Sequence, residues 1–213
     1  MKPVALHEML GENFFARVTA AQFNSLTKRY RNQDAAKDVS LDTLSDEQWQ
    51  SYFGAFTPFP DSFKTPLALC YHGHQFGIYN PEIGDGRGFL YAQLREDTTN
   101  RLLDLGTKGS GTTPFSRSGD GRLTLKGAVR EILASEYLNA LSVNSCKILS
   151  VFETEEQLHR NDEPSPTRAA VLVRLSHSHI RIGSFQRLAY LNQPQEILTL
   201  ARYVARYYYP DID

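Results

Sequence analysis

Apolar residues in the first third of the chain recur at helical spacing at Trp49, Tyr52, Phe53 and Phe56, intervals of three, four and seven from Trp49. Ser45-Asp46-Glu47-Gln48 stands just before them, a capping box in which Ser45 caps and Gln48 reaches back, and Pro58 and Pro60 stop the run. The spacing predicts a short helix whose apolar stripe is packing rather than a binding face. The rest of residues 1–66 reads as mostly helical and irregular. From about residue 67 the pattern changes to short β-prone runs separated by glycine. Residues 78–83 read as a strand broken by Pro81, Gly84-Asp85-Gly86-Arg87-Gly88 as a turn, and 89–94 as a second strand, together a hairpin with a glycine-rich tip. A polar turn over 95–100 leads to a third strand, 102–107, that delivers Lys108 at its end. Residues 109–122 are too rich in Gly, Ser and Thr for regular structure. A helix over 123–141 follows, with Leu125, Ala128, Val129, Ile132 and Leu133 on one face. Residues 147–152 and 168–175 are further strands, the second nearly continuous in apolar residues, as where both faces are covered. The charged, proline-bearing stretch 153–167 is their loop, and 196–208 forms a last helix before Pro210. No repeat or low-complexity tract is visible.

Composition narrows the function. Of 213 residues, 41% are hydrophobic and 22% charged, enough to bury a core. The 23 Lys plus Arg balance 24 Asp plus Glu to a net charge of -1, with a pI near 6.6, so no global field draws the chain to nucleic acid or anionic lipid. Mean hydropathy is -0.41, and no apolar run approaches the roughly 20 residues that cross a bilayer. The N-terminus lacks an apolar stretch of signal-peptide length, which leaves a cytoplasmic or matrix-like compartment as the expectation, the cytoplasm being preferred. Cys70 and Cys146 are too few for a disulfide scaffold and read as buried thiols. His72 and His74 form an H-x-H pair that reads as structural, since two ligands alone rarely make a metal site.

The glycines and Lys108 carry the candidate chemistry. Glycine lets backbone amides converge on an anion, because no side chain stands in the way. In protein kinases a glycine-rich hairpin is followed, one strand later, by a lysine that pairs nucleotide phosphates and is held by a glutamate on the next helix. Here the same order occurs, with Glu131 and Glu136 on the helix after Lys108. They lie about 140° apart around the axis. Helical periodicity places Glu136 amid Leu125, Val129 and Ile132, and a buried carboxylate needs a partner, so pattern alone favours Glu136.

Six ordered blocks go further: Gly73-His74-Gln75-Phe76-Gly77, Gly84-Asp85-Gly86-Arg87, Lys108 through Arg117, Gly119-Asp120-Gly121-Arg122, Arg130-Glu131 and Ser178-His179-Ile180-Arg181. Together they resemble the selenoprotein O family. The resemblance implies a kinase-like fold that transfers AMP rather than phosphate to hydroxyls of protein substrates, using ATP and Mg2+, with ATP flipped relative to ordinary kinases. Carried over, it makes Gly84, Gly86, Arg87, Asp120 and Gly121 part of a nucleotide site, Lys108 the phosphate-pairing lysine, and Glu131 its ion-pair partner. Arg174 and Arg181 match the family's two further arginines, whose planar forks suit phosphate oxygens. The chain departs from the family at His72, where a small residue is usual, and at Gly106-Thr107, where a bulkier pair is expected.

After Arg181 the only acids are Glu196, Asp211 and Asp213, and no H-R-D or D-F-G segment occurs. The catalytic base and metal ligands are therefore expected in a further lobe. The expected architecture is α+β: a kinase-like, pseudokinase-type N-lobe with a five-stranded antiparallel sheet and one main helix. It divides into a helical extension (1–66), a nucleotide-binding lobe (67–194) and a C-terminal helix (195–213), from a truncated gene product or an expressed fragment. Its expected function is the ATP-gripping half of a protein adenylyltransferase. The alternative is a stand-alone, nucleotide-independent interaction or regulatory module, and self-association through the surface where a second lobe docks suits either. A plain nucleotide hydrolase is disfavoured by the missing metal-binding acids.

Overall fold

The N-terminal part of the chain is made of short elements. β1 (Pro3–Val4), a 3-10 turn at His7–Leu10, β2 (Phe15–Arg17) and β3 (Thr27–Arg31) lead to α1 (Gln33–Lys37) and α2 (Asp46–Phe53). The capping box closes at the start of α2: the Gln48 amide donates to Ser45 Oγ at 3.2 Å and the Ser45 amide to Gln48 Oε1 at 3.0 Å. Trp49, Phe53 and Phe56 are buried, so their stripe is core, and Trp49 Nε1 donates to Ser150 Oγ at 2.9 Å. Next come β4 (Leu67–Leu69), β5 (Gly73–Gln75), β6 (Ile78–Asn80), β7 (Leu90–Arg95), β8 (Leu102–Lys108) and β9 (Leu123–Thr124). α3 (Leu125–Ala140), β10 (Lys147–Leu158), β11 (Thr167–Ser176), α4 (Ile182–Tyr190) and α5 (Pro194–Tyr208) complete the order. The structure is a computed structural model that describes residues 1–211, so Asp213 lies outside the described residues.

The fold is α+β, but its sheet has nine strands rather than five. The order is β2-β4-β7-β8-β11-β10-β3, with β1 on β7 and β9 on β11, all antiparallel. Four of the expected strands are β7, β8, β10 and β11. The fifth is not in this sheet. Pro81 has no N–H to give a ladder, and Ile78–Asn80 instead fold back on Gly73–Gln75 as a separate two-stranded hairpin. The added strands β1, β2, β3, β4 and β9 are two to five residues long, too short for a period of two to register in sequence. Three of them come from residues 1–66, which are less helical than expected. β10 extends to Leu158 and takes up much of the expected loop, and α4 follows β11 without having been anticipated. Cys70 and Cys146 are free thiols and half-buried rather than buried.

Alternation fixes the two faces of the sheet. Val171, Val173 and Leu175 of β11 join Leu103 and Leu105 of β8 in a cluster covered by α1 and α2 through Ala35, Ala36, Trp49 and Phe53. Ala170 and Leu172 leave the opposite face, where they pack with Ile148 and Val151 under Ala128, Leu125 and Ile132 of α3. At the other end of this second face, Tyr203 and Tyr208 of α5 cover Leu102. Gly106, Lys108 and Arg174 lie on that face between the two covers, Gly106 opposite Arg174 in the ladder. Among the described residues, no helix is long and apolar enough to cross a membrane.

Candidate functional site

Lys108 ends β8 on the face that looks toward α3, and its Nζ pairs with Glu131 Oε1. Glu136 does not take this place. It is exposed, and its Oε1 accepts from Tyr30 Oη at 3.0 Å and Asn32 Nδ2 at 3.2 Å. The reason is a rotation of the buried stripe of α3. Ala128 and Ser135 are buried, with Leu125 and Ile132 half-buried beside them, whereas Val129 and Leu133 face outward. That rotation leaves Glu131 on the flank nearest β8.

The first glycine-rich segment is not the tip of a hairpin. Thr113 Oγ1 donates to Asp85 O at 2.5 Å, Ser116 Oγ to Gly86 O at 2.5 Å, and the Gly109 amide to Arg87 O at 2.7 Å. These bonds join residues 84–88 to the second glycine-rich segment as one shelf. The Asp85 amide is engaged by Leu69 O at 3.3 Å and does not converge on an anion. Gly121 shows why glycine is needed in the shelf: its φ is +70°, and a Cβ there would stand 2.3 Å from the Gly111 carbonyl carbon.

A cavity of about 690 Å³ opens on this shelf, and the structure brings Gly84, Gly86, Arg87, Lys108, Asp120, Gly121, Arg174 and Arg181 around it. Arg117 and Arg160 line it as well. Arg117 closes a block already singled out in sequence, whereas only the charge of its loop marked Arg160. Arg160 holds Asp120 through two bonds, Nη1 to Oδ2 at 2.7 Å and Nη2 to Oδ1 at 3.0 Å. Burial works to raise the Asp120 pKa, but the Arg160 bonds, the Arg122 amide and the charges of both arginines together lower it. Arg181 stacks on Tyr71 at 4.8 Å and reaches to 3.9 Å from Asp85, whose pKa burial raises. Arg87, Arg117 and Arg174 have no carboxylate partner among the described residues. Such a cavity can hold an anion with several charges.

Among the described residues, no group of three or more His, Cys, Asp or Glu side chains is placed to hold a metal ion. The cavity's two carboxylates are engaged, Asp120 by Arg160 and Asp85 by the Leu69 amide at 3.1 Å, so the residues present do not form a magnesium site. His72 packs structurally, with Nδ1 2.6 Å from Tyr79 Oη and its ring edge-on to Tyr190. The departure at Gly106 has a local cause, because a Cβ there would lie 1.9 Å from His179 Nε2.

The sequence matches the family model described as Protein adenylyltransferase SelO over residues 3–213. The chain belongs to the SelO family. Its relatives include proteins named Protein nucleotidyltransferase YdiU. That of Trichormus variabilis is 50% identical over 204 residues, 95% of this chain and 41% of the relative. That of Synechocystis sp. is 50% identical over 207 residues, 96% of this chain and 42% of the relative. That of Vibrio cholerae is 36% identical over 186 residues, 87% of this chain and 35% of the relative. The chain thus spans about two fifths of the length of the first two relatives. The family is one of protein nucleotidyltransferases.

Proposed function

We propose that the cavity binds ATP and that the chain is the nucleotide-gripping, kinase-like N-lobe of a protein adenylyltransferase. The observation that carries this reading is the set of guanidiniums without carboxylate partners, Arg87, Arg117 and Arg174, around the Lys108–Glu131 pair in a glycine-walled cavity. Buried or cleft-bound cations need counter-charge, and a triphosphate supplies it. At about 690 Å³ the cavity lies within the roughly 300–1,000 Å³ usual for small-molecule sites. Glu131 holds Lys108 in place for a phosphate, as the lysine–glutamate pair does in kinases. Gly84, Gly86, Asp120 and Gly121 shape the wall, and Arg181 adds a donor fork at the rim.

In the transfer itself a protein hydroxyl oxygen forms a bond to the α-phosphorus, the bond from that phosphorus to the bridging oxygen breaks, and pyrophosphate leaves. The hydroxyl proton needs an acceptor, and among the described residues the cavity's two carboxylates, Asp85 and Asp120, are already engaged. The share of each relative that lies outside the match is where we assign that base, so we read this chain as binding ATP without transferring AMP. Residues 67–194 carry the site in this reading, with 1–66 and 195–213 supporting it. Calorimetric titration of the chain with ATP tests it. A saturable response that Lys108→Ala abolishes is expected; no response from the unaltered chain overturns the reading.

A further inference from the structure

Arg174 is held in the cavity by a ring rather than by a carboxylate. It sits in β11 with its Nε–H donating to His179 Nε2 at 3.2 Å. A guanidinium has donors only, so Nε2 must be the acceptor, and the neutral ring then carries its proton on Nδ1. That nitrogen faces Asp104 Oδ2 at 3.8 Å, too far for a hydrogen bond but close enough for charge to favour that tautomer. The backbone holds the arrangement as well, since the His179 amide donates to the same Oδ2 at 2.8 Å. Asp104 is fully buried, and its other oxygen accepts from Gln93 Nε2 at 2.8 Å and Tyr208 Oη at 2.7 Å. The ring fits only because position 106 has no side chain.

We infer that His179, oriented by Asp104, is the positioning residue that aims the Arg174 guanidinium into the cavity. This rests on the reading of the cavity as a triphosphate site, but the ring–guanidinium bond stands apart from it. The bond requires a neutral imidazole, because an imidazolium would set a donor against a donor and a cation against a cation. Burial lowers the His179 pKa; Asp104 opposes that, and Arg174 adds to it. The charged or titratable groups facing the ring are Asp104 from β8, Arg174 from β11, Asp85 from the glycine shelf and His7 from the N-terminal turn. Asp104 and Arg174 thus act on one proton from opposite sides.

Two measurements on the full chain test the inference. Nitrogen-15 spectra of the His179 ring at pH 7 are expected to show a protonated Nδ1 and an unprotonated Nε2. The opposite tautomer, or an imidazolium, overturns the proposal whether or not ATP binds. In ATP titrations, His179→Leu removes the acceptor and is expected to weaken binding by roughly tenfold. His179→Gln can present its Oε1 near the position of Nε2 and is expected to recover most of that loss. Equal binding by His179→Leu and the unaltered chain, or no recovery by His179→Gln, overturns it. If the unaltered chain binds no ATP the triphosphate reading falls, and if the variants do not fold the tautomer still decides.

Discussion

On one face of β11, Val171, Val173 and Leu175 lie under α1 and α2; on the other, Ala170 and Leu172 lie under α3, and the next residue in the alternation, Arg174, opens on the cavity. The strand itself does not change between these places. What changes is the cover. The first face is roofed by aromatic rings, with Trp49 and Phe53 at 4.5 Å, Tyr52 stacked on Phe59 at 4.3 Å, and Arg31 lying over Trp49 at 4.1 Å. The second face has two separate roofs, α3 and α5, and the polar residues fall in the gap between them. A sheet with one sealed face can thus stake its stability there and leave cations on the other face uncompensated by apolar packing.

The sharpest way to break this contrast is on the sealed face. Trp49→Ala is expected to cost about 3–5 kcal/mol by urea unfolding, from the lost burial and the cavity left behind. ATP affinity of the protein that remains folded should not change. A cost near that of a surface substitution would show that α2 is not the roof it is taken to be. The α5 end of the second face is probed by pH. Burial pushes His7 down to about 4; Asp104 opposes the shift and His179 adds to it. The unfolded chain takes up a proton there near pH 6.5 while the folded chain refuses it, so stability should fall as pH drops from about 6.5 toward about 4. His7→Phe, between Phe15 and Tyr203, should remove that part of the slope when denaturant midpoints at pH 7 and about pH 4.5 are compared. An unchanged slope would mean that this end is wet. The smallest effect belongs to the outward side of α3, where Leu133 is 65% exposed. Leu133→Ser should shift stability by no more than about 0.5 kcal/mol in the same unfolding assay. A larger loss would mean that α3 is packed on both sides.

How far these features could be read from the residues alone depended on the length of the pattern. α2 was legible because a capping box, an apolar stripe and a proline stop agreed within a few turns. β7, β8, β10 and β11 were legible because each is at least six residues long and buried. β1 and β9 were not, since a two-residue strand exists only through its partner. The ordered glycine blocks pointed to the residues that now share one cavity, but they suggested a hairpin where the chain builds a shelf from two loops. The choice between Glu131 and Glu136 failed on periodicity because Val129 and Leu133 mimic a core stripe while facing outward. His179 stood inside one of the six blocks, but its contact with Arg174 left no signal, since its place depends on a missing side chain at Gly106 on a neighbouring strand.

The pleat of β8 also limits how this chain can vary in length. Leu103 and Leu105 point to the sealed face, Asp104 and Lys108 to the other. Deleting or inserting a single residue within this strand would drive an ammonium and a carboxylate beneath the rings of α2 and turn leucines onto the guanidiniums. The exposed turn between β7 and β8 has no such phase to keep. Gaps in natural relatives should therefore collect at that turn and spare the strand.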